Sequence, residues 1–328
     1  MERRRLFPIG KQTFSTIIER NMVYVDKTSY IYDMAQEAGC FFLSRPRRFG
    51  KSLLCSTLEA YFEGRKELFK GLAIEQLETE WRKHPVFHFD FSVTKYLEVD
   101  DLKRVLDFQL TEIENRYGSN PAKEVSPADR LTGLISRAAE QTGEKVVVIV
   151  DEYDAPMHDT LTNSELKQQL RQLQRQFFSP LKHQDKNLRF IFLTGITKFS
   201  QMSIFSELNN LQDISLDTRY EAICGITAEE LTTVLCEDIE AMALQQKMTY
   251  EQCLEQLKFF YDGYHFSEAK TDVYNPFSLI NALSKKRFGT FWFSTGTPTF
   301  LLEMLTNEDQ VITDLEGVVV KAGEFDTP

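Results

Sequence analysis

The residues best suited to chemistry lie in the stretch FFLSRPRRFGKSLL, which spans positions 41–54. It ends in Gly50-Lys51-Ser52 followed by two leucines, which is what a loop needs to hold a triphosphate. Backbone N–H groups at a helix start point at an anion, a lysine reaches the β- and γ-phosphates, and a serine hydroxyl can ligate Mg²⁺. The stretch therefore predicts a nucleotide site in which Lys51 contacts phosphate and Ser52 contacts Mg²⁺.

The loop departs from the GxxxxGK[ST] pattern at its first position, where Arg45 replaces glycine. Pro46 follows, and because proline has no N–H group this loop offers one fewer backbone donor. Guanidinium groups bind phosphate oxygens in a bidentate way, so Arg45, Arg47 and Arg48 can compensate. One of the three is a candidate arginine finger in cis, although the sequence does not single one out. We take Arg48 as the catalytic candidate. The loop residues expected to contact nucleotide are Arg45, Pro46, Arg47, Arg48, Phe49, Gly50, Lys51, Ser52 and Leu53.

A pair of carboxylates follows the apolar run in VVVIVDEYD, residues 146–154. An aspartate at the carboxyl end of a buried parallel strand lies where open α/β sheets bind ligands. We expect Asp151 to hold Mg²⁺, directly or through water, and Glu152 to orient and deprotonate the attacking water. A site that only binds nucleotide gains nothing from the glutamate, so the pair favours hydrolysis.

A third candidate lies in FIFLTGITKF, residues 190–199, a strand pattern that ends in polar residues. Thr194 is placed beside the carboxylates and is a candidate sensor of the γ-phosphate, with Thr197 and Lys198 as close alternatives. These residues are equally consistent with capping a turn.

Histidine and cysteine give no further site by their spacing. The five histidines show no metal-ligand pattern, and we expect each to be structural or exposed. The five cysteines are odd in number and form no CxxC pair, which indicates reduced thiols rather than a disulfide or zinc framework.

Composition limits the kind of partner this chain of 328 residues can have. Its net charge is −11, so it has no long-range attraction for nucleic acid, and we expect no strong nucleic-acid binding. The longest apolar run, Val146 to Val150, is far too short to span a membrane. We expect a cytoplasmic protein with no membrane partner.

The elements that position these residues alternate along the chain. Strand patterns occur at 40–44, 85–92, 146–151, 188–200 and 213–217, and helical patterns at 52–62, 100–117, 128–142 and 163–178. Such alternation predicts crossover units and a mostly parallel sheet. From about Tyr220 the chain is mainly helical, beginning with a Thr227 cap. We therefore expect an α/β core with its N-terminal segment over 1–219 and a smaller, mostly helical and incomplete module over 220–328.

A series of motifs extends over roughly residues 6–303 and is similar to the bacterial AAA-ATPase-like family. In chain order they are FPIGKQTF, YVDKTSYI, FLSRPRRFGKSLL, YFEGRKELFKGL, VVVIVDEYDAP, LTGITKFS, SELNNLQDISLD, CGITAEEL, FYDGYHF, VYNPFSLINAL and FWFSTGTPTFL. RPRRFGKS is the family's usual loop, so the missing glycine is a family trait.

The resemblance implies a P-loop NTPase core of the additional-strand class, with sheet order 5-1-4-3-2 and the sensor strand between the loop strand and the acidic strand. It implies ATP and Mg²⁺ as cofactors, with Lys51 and Ser52 in the Walker A role and Asp151 and Glu152 in the Walker B role. It also implies that the module after Tyr220 is a lid. Family members often carry a C-terminal nuclease-like domain, which we expect this chain to lack.

These patterns lead to one principal hypothesis and two rivals. The first is a Mg²⁺-dependent ATPase whose nucleotide state moves the helical module. The second is a regulator that binds nucleotide without hydrolysis, and the third is a scaffold for a partner or nuclease domain. The preference for ATP over GTP, the oligomeric state and the client are left open by the sequence.

Overall fold

The computed structural model describes residues 6–37, 39–160, 163–196, 211–269 and 271–291. Its main sheet has five strands: β1 (Cys40–Ser44), β2 (Val86–Asp90), β3 (Val146–Asp151), β4 (Leu188–Gly195) and β5 (Leu211–Asp213). All neighbouring strands are parallel, and their order is β5-β1-β4-β3-β2. The predicted P-loop α/β fold class is confirmed, with β4 lying between the strand before the loop and the strand that carries Asp151.

Helices flank the strands and continue after the sheet. The α-helices of the described residues are α1 (Phe14–Glu19), α2 (Thr28–Glu37), α3 (Lys51–Phe62), α4 (Ile74–Leu77), α5 (Val99–Tyr117), α6 (Pro127–Thr142), α7 (Ala155–His158), α8 (Ser164–Phe178), α9 (Ala228–Val234), α10 (Cys236–Gln246), α11 (Tyr250–Tyr261) and α12 (Pro276–Lys285). Short 3-10 helices cover Lys66–Phe69, Ser179–Lys182, Asp185–Asn187 and Thr218–Tyr220. No helix among these is both long and apolar enough to cross a membrane.

The sheet is covered on both faces, as a parallel sheet requires. Every residue of β3 is buried, and the side chains of β2 alternate between the two faces. Phe87 and Phe89 join the apolar cluster with α5, α6 and α8, whereas Val86 joins the cluster with α3. His88 and Asp90 share the face of Val86 because side chains of a strand repeat every two residues.

The strand predicted at 213–217 is wrong in its bounds, because β5 ends at Asp213. The chain still runs beside β1, and Ile214 N donates to Phe42 O at 2.9 Å. At the next step the hydroxyl of Ser215, rather than a main-chain carbonyl, accepts from Ser44 N. The side chain thus ends the backbone ladder.

The described residues between 226 and 291 form a smaller unit of helices and one short antiparallel pair, β6 (Ile226–Thr227) with β7 (Val273–Tyr274). Thr227 caps α9 as predicted: its Oγ1 accepts from Glu230 N, and the Glu230 carboxylate accepts from Thr227 N. Helices α9 to α12 pack around their own apolar cluster, to which Val23 of the N-terminal segment also contributes.

Candidate nucleotide site

Lys51 is the first residue of α3 and lies at the centre of the candidate site. Gly50 precedes it with φ 97° and ψ 15°, a left-handed conformation that glycine adopts without strain. The lysine side chain is almost completely buried, with 3% of it exposed. Its Nζ donates to Arg45 O at 3.0 Å and Pro46 O at 3.2 Å, and lies 3.1 Å from Glu152 Oε1. A buried ammonium group is therefore held between the loop and the acidic strand.

The other predicted catalytic residues meet at the same end of the sheet. Asp151 is the last residue of β3, and the Ser52 side chain lies close enough to its carboxylate to lower its pKa. Thr194, fully buried near the end of β4, donates from Oγ1 to Asp151 Oδ1 at 3.3 Å. The structure thus brings Lys51, Ser52, Asp151, Glu152 and Thr194 together. Thr197 and Lys198 lie outside the described residues.

Burial dominates the electrostatics of the two carboxylates. It raises the pKa of Asp151 above its usual range, against the effects of the nearby Ser52 hydroxyl and the Lys51 charge. It also raises the pKa of Glu152, which Lys51 lowers and the neighbouring aspartates raise further. Charged carboxylates that are partly removed from water are stabilised by a cation, so this end of the sheet is suited to cation binding.

Arg45, predicted to contact phosphate through its guanidinium, is engaged elsewhere in this structure. Its side chain is 1% exposed and donates to Ser215 O at 2.7 Å and to Tyr220 O at 3.1 Å. The guanidinium also lies over the Phe266 ring, 4.1 Å from the centroid. Burial lowers the pKa of Arg45 to about 10. Only its main chain faces the loop, because its carbonyl accepts from Lys51.

This geometry explains why no glycine is needed at position 45. The φ of Arg45 is outside the left-handed region, and its N–H donates to Gly195 O at 3.2 Å, extending the contact between β1 and β4. The left-handed turn occurs later, at Arg48 (φ 69°) and Gly50. The long side chain instead ties the loop to the segment that follows β5.

Replacing Arg45 by methionine is expected to destabilise the fold. The change keeps the volume but leaves Ser215 O and Tyr220 O without this donor, at roughly 1–3 kcal/mol for each buried acceptor. We expect the free energy of unfolding in urea to fall by about 3 kcal/mol, whereas Arg82→Met, at an exposed position, should change it by less than about 1 kcal/mol. Equal stability of the two variants would show that the Arg45 contacts contribute nothing.

Two further loop side chains, those of Arg48 and Phe49, contact residues beyond position 220. Arg48 places its guanidinium 4.8 Å from the centre of the Phe277 ring in α12. Phe49 is buried and packs edge-on against Tyr264 and Phe266. Arg47 is exposed. In this conformation the loop can offer an anion its backbone and Lys51, while Arg45, Arg48 and Phe49 use their side chains to contact residues beyond position 220.

An apolar cavity of about 90 Å³ lies beside the loop and was not predicted from the sequence. It is lined by three regions of the chain: the N-terminal segment, α3 with the two residues before it, and residues beyond position 220. Representative lining residues are Pro8, Val25, Gly50, Leu53, Ile223 and Ile280. They are scattered over more than 270 positions, so no local pattern marks them. The cavity is next to the loop that would hold phosphate.

The sheet order and the loop joining β1 to α3 define a P-loop NTPase-like α/β protein. Within that class, the model of the AAA-ATPase-like family, described as "Predicted AAA-ATPase", matches residues 8–205. The chain belongs to this family.

A relative described as "Uncharacterized protein in vnfD 5'region", from Azotobacter chroococcum mcd 1, is 38% identical over 320 residues. The match covers 97% of this chain but only 59% of the relative's length. A chain in the structure of Drosophila ORC bound to GC-rich DNA and Cdc6 matches over 92% of this chain and 42% of its own length, with 11% identity and a TM-score of 0.33. A likeness of that size supports no conclusion about mechanism.

Proposed function

We propose that this chain binds ATP with Mg²⁺ at the end of the sheet and hydrolyses it. The observation that carries the proposal is the position of Lys51 Nζ, 3.1 Å from Glu152 Oε1, next to the group formed by Ser52, Asp151 and Thr194. A lysine suited to phosphate, a candidate base and two candidate oxygen ligands for a hard cation thus lie close together.

The donors present suit Mg²⁺, which prefers oxygen ligands. The Ser52 hydroxyl and the Asp151 carboxylate would hold the ion, and the buried carboxylate gains a compensating charge. Once bound, Mg²⁺ neutralises charge that develops on the phosphate oxygens.

Lys51 already has a set of oxygen partners that resembles what a phosphate offers. Two loop carbonyls and the Glu152 carboxylate surround its ammonium group. Nucleotide phosphates replace these partners, and the exchange releases Glu152 from its ion pair. The freed carboxylate then orients a water molecule and accepts its proton, with Thr194 nearby as the candidate γ-phosphate sensor.

The apolar cavity beside Gly50 and Leu53 is the proposed site of the nucleobase. Ligand sites are mostly apolar with a few polar groups, and a planar base gains from burial between such walls. A base in this position contacts α3 and the helical unit at the same time.

Ile280→Trp tests the assignment of the cavity. The indole should occupy space that the base needs, so we expect ATP to bind at least about tenfold more weakly, or roughly 1.4 kcal/mol. Inorganic tripolyphosphate, which has no base, should bind the variant as it binds the wild type. Ile280→Val is the matched control that leaves the cavity open. Unchanged ATP affinity in the tryptophan variant would place the base elsewhere.

The loop contacts give a route by which nucleotide state can move the helical unit. Arg45 and Phe49 both pack on Phe266, and Arg48 packs on Phe277. A rearrangement of the loop around phosphate would change these contacts directly. Loss of the γ-phosphate would then act as in other switches whose loops are held by a terminal phosphate.

The test of the proposed function is phosphate release from ATP by the folded chain, measured with and without Mg²⁺ and alongside equilibrium binding. Mg²⁺-dependent turnover supports the proposal. Binding without turnover would favour the regulator that does not hydrolyse nucleotide. Absence of nucleotide binding by the folded chain would refute the assignment of the site. We propose separately that a longer form of this protein carries a nuclease-like domain.

A further inference from the structure

Three side chains of different chemistry converge beside the proposed Mg²⁺ ligands. A ligand atom of Cys55, one of His88 and one of Asp151 all lie within 4.8 Å of one another. Within the part of the chain that the structure describes, this is the only such group of three histidine, cysteine or acidic side chains. Cys55 and Asp151 are buried, and His88 is half-buried. The residues come from α3, β2 and β3, and so their positions in the sequence form no metal motif.

The fold brings the three together for simple geometric reasons. Cys55 lies three residues after Ser52 in α3, so both face the sheet on one side of the helix. His88 and Asp90 face the same side of β2, and Asp90 pairs in register with Asp151 on β3. Helix α3 packs over both strands, which places the thiol above the imidazole and the carboxylate.

The imidazole of His88 is oriented for a ligand. Its Nδ1 lies 2.9 Å from Glu59 Oε2, whereas its Nε2 is buried and has no hydrogen-bond partner. A histidine whose other nitrogen is held by a carboxylate is the usual arrangement in zinc proteins, where the carboxylate fixes the ring and its tautomer. Nε2 is thus the nitrogen available to a metal ion.

Charge at the cluster favours a cation. Burial alone would lower the pKa of His88, but Glu59, Asp151 and Asp90 together raise it above the usual value. Burial and nearby carboxylates raise the pKa of the Cys55 thiol well above its usual range. The carboxylates around these groups attract a divalent ion, and a thiol that coordinates the ion as thiolate releases its proton to water.

We propose that Cys55, His88 and Asp151 form a site for a borderline-soft divalent transition-metal ion of the Zn²⁺ class. Three protein ligands with sulfur, nitrogen and oxygen donors leave one position of a tetrahedron for water. The thiolate and imidazole select against Mg²⁺ and Ca²⁺. Bond lengths of about 2.0–2.3 Å place tetrahedral ligand atoms about 3.5 Å apart, so the side chains need to close by roughly 1 Å.

An open groove reaches one of the three ligands, His88, from the surface. The groove has a volume of about 650 Å³ and is lined by Glu59, His88 and Asp90 together with residues of α5. An ion can therefore arrive on the β2 side without passing through the nucleotide cavity.

The consequence of metal binding follows from the shared aspartate. If Asp151 holds Mg²⁺ during hydrolysis, a soft cation bound to Asp151, Cys55 and His88 withdraws it and inhibits turnover. Only this consequence rests on the proposed function, because binding of the ion itself requires no nucleotide.

The test uses nucleotide-free protein with its thiols reduced, titrated with Zn²⁺ by calorimetry and with Co²⁺ by absorption. We expect one ion per chain and a thiolate-to-cobalt charge-transfer band that shows a sulfur ligand. Cys55→Ser should abolish the band, and Cys55→Ser and His88→Ala should each weaken Zn²⁺ binding by at least about tenfold. Cys253→Ser and His183→Ala remove the same groups elsewhere and should leave binding unchanged.

Three results would overturn the proposal. They are the absence of Zn²⁺ binding by the wild type, a cobalt complex without the thiolate band, or full binding by the Cys55 and His88 variants. The wild-type spectrum decides the point even if a variant does not fold. A protein that binds no metal can still hydrolyse ATP, so that result leaves the ATPase proposal intact. A protein that gives the cobalt band but hydrolyses no ATP would support the metal site and refute the proposed hydrolysis.

Discussion

Replacing Glu152 by glutamine is expected to lower ATP turnover by about 10²–10⁴-fold while nucleotide binding is retained, because only the proton acceptor is lost. The amide keeps the size of the side chain and can still accept a hydrogen bond from Lys51. It cannot take a proton from water. The expected effect is therefore on the chemical step and not on affinity.

The backbone around Glu152 supports a dedicated role for this side chain. Its φ of 51° is in the left-handed region, which costs a residue with a side chain on the order of 1–3 kcal/mol when imposed by its surroundings. The turn is held on both sides, since Tyr153 N donates to Thr194 O at 3.0 Å and Ala155 N donates to Glu152 O at 3.0 Å. The side chain is thereby directed to Lys51.

Single-turnover phosphate release, with the binding of a fluorescent ATP analogue measured in parallel, checks this prediction. Glu165→Gln, an exposed residue in the first turn of α8, is the matched control and should behave as the wild type. Turnover near the wild-type rate in Glu152→Gln would mean that the glutamate serves only to hold Lys51 in the nucleotide-free state.

The sheet was predictable because its signals are local. Runs of β-branched and aromatic residues mark β1 to β4, and the alternation of β2 assigns Phe87 and Phe89 to one face and His88 to the other, as observed. Parallel strands then bring their carboxyl ends to one edge, so Lys51, Asp151 and Thr194 had to be neighbours. The order of the strands came from the family resemblance and not from the patterns themselves.

The side-chain partners of the loop were not predictable, because they are distant in the sequence. Arg45 was expected to contact phosphate on the strength of its charge and its place in the loop. Its guanidinium instead meets Ser215, Tyr220 and Phe266, at least 170 positions away. A buried arginine and an exposed one look alike in a single sequence.

The same limit applies to the histidines. No spacing linked His88 to a thiol or carboxylate, and it was expected to be structural or exposed. In the structure His88 contacts Glu59 through Nδ1 and lies in the cluster with Cys55 and Asp151. These contacts depend on the packing of α3 across β2 and β3. A site assembled from three segments of the chain can be recognised only once the register of the strands is known.

Replacing Lys51 by methionine is expected to weaken ATP binding by roughly 10–100-fold, which corresponds to the loss of a charge-assisted contact of about 1.5–3 kcal/mol. Methionine has a similar length and an apolar stem, so it fills the buried channel but donates nothing to the phosphates. Turnover should be lost together with binding, whereas Glu152→Gln should lose turnover alone.

The variant should be less stable than the wild type without nucleotide, because one partner of a buried ion pair is removed and Arg45 O and Pro46 O lose a donor. Protonation of the remaining acid limits this cost. Glu152, whose pKa burial already raises, is the group that would be protonated. Thermal unfolding separates folding from binding: a ligand at 100 times its Kd stabilises the native state by about 2.7 kcal/mol. We expect that ATP-dependent gain in the wild type and in the exposed control Lys66→Met, and a much smaller gain in Lys51→Met. An undiminished gain in Lys51→Met would show that the triphosphate is held by other groups, and the loop would then lose the role that its sequence predicts.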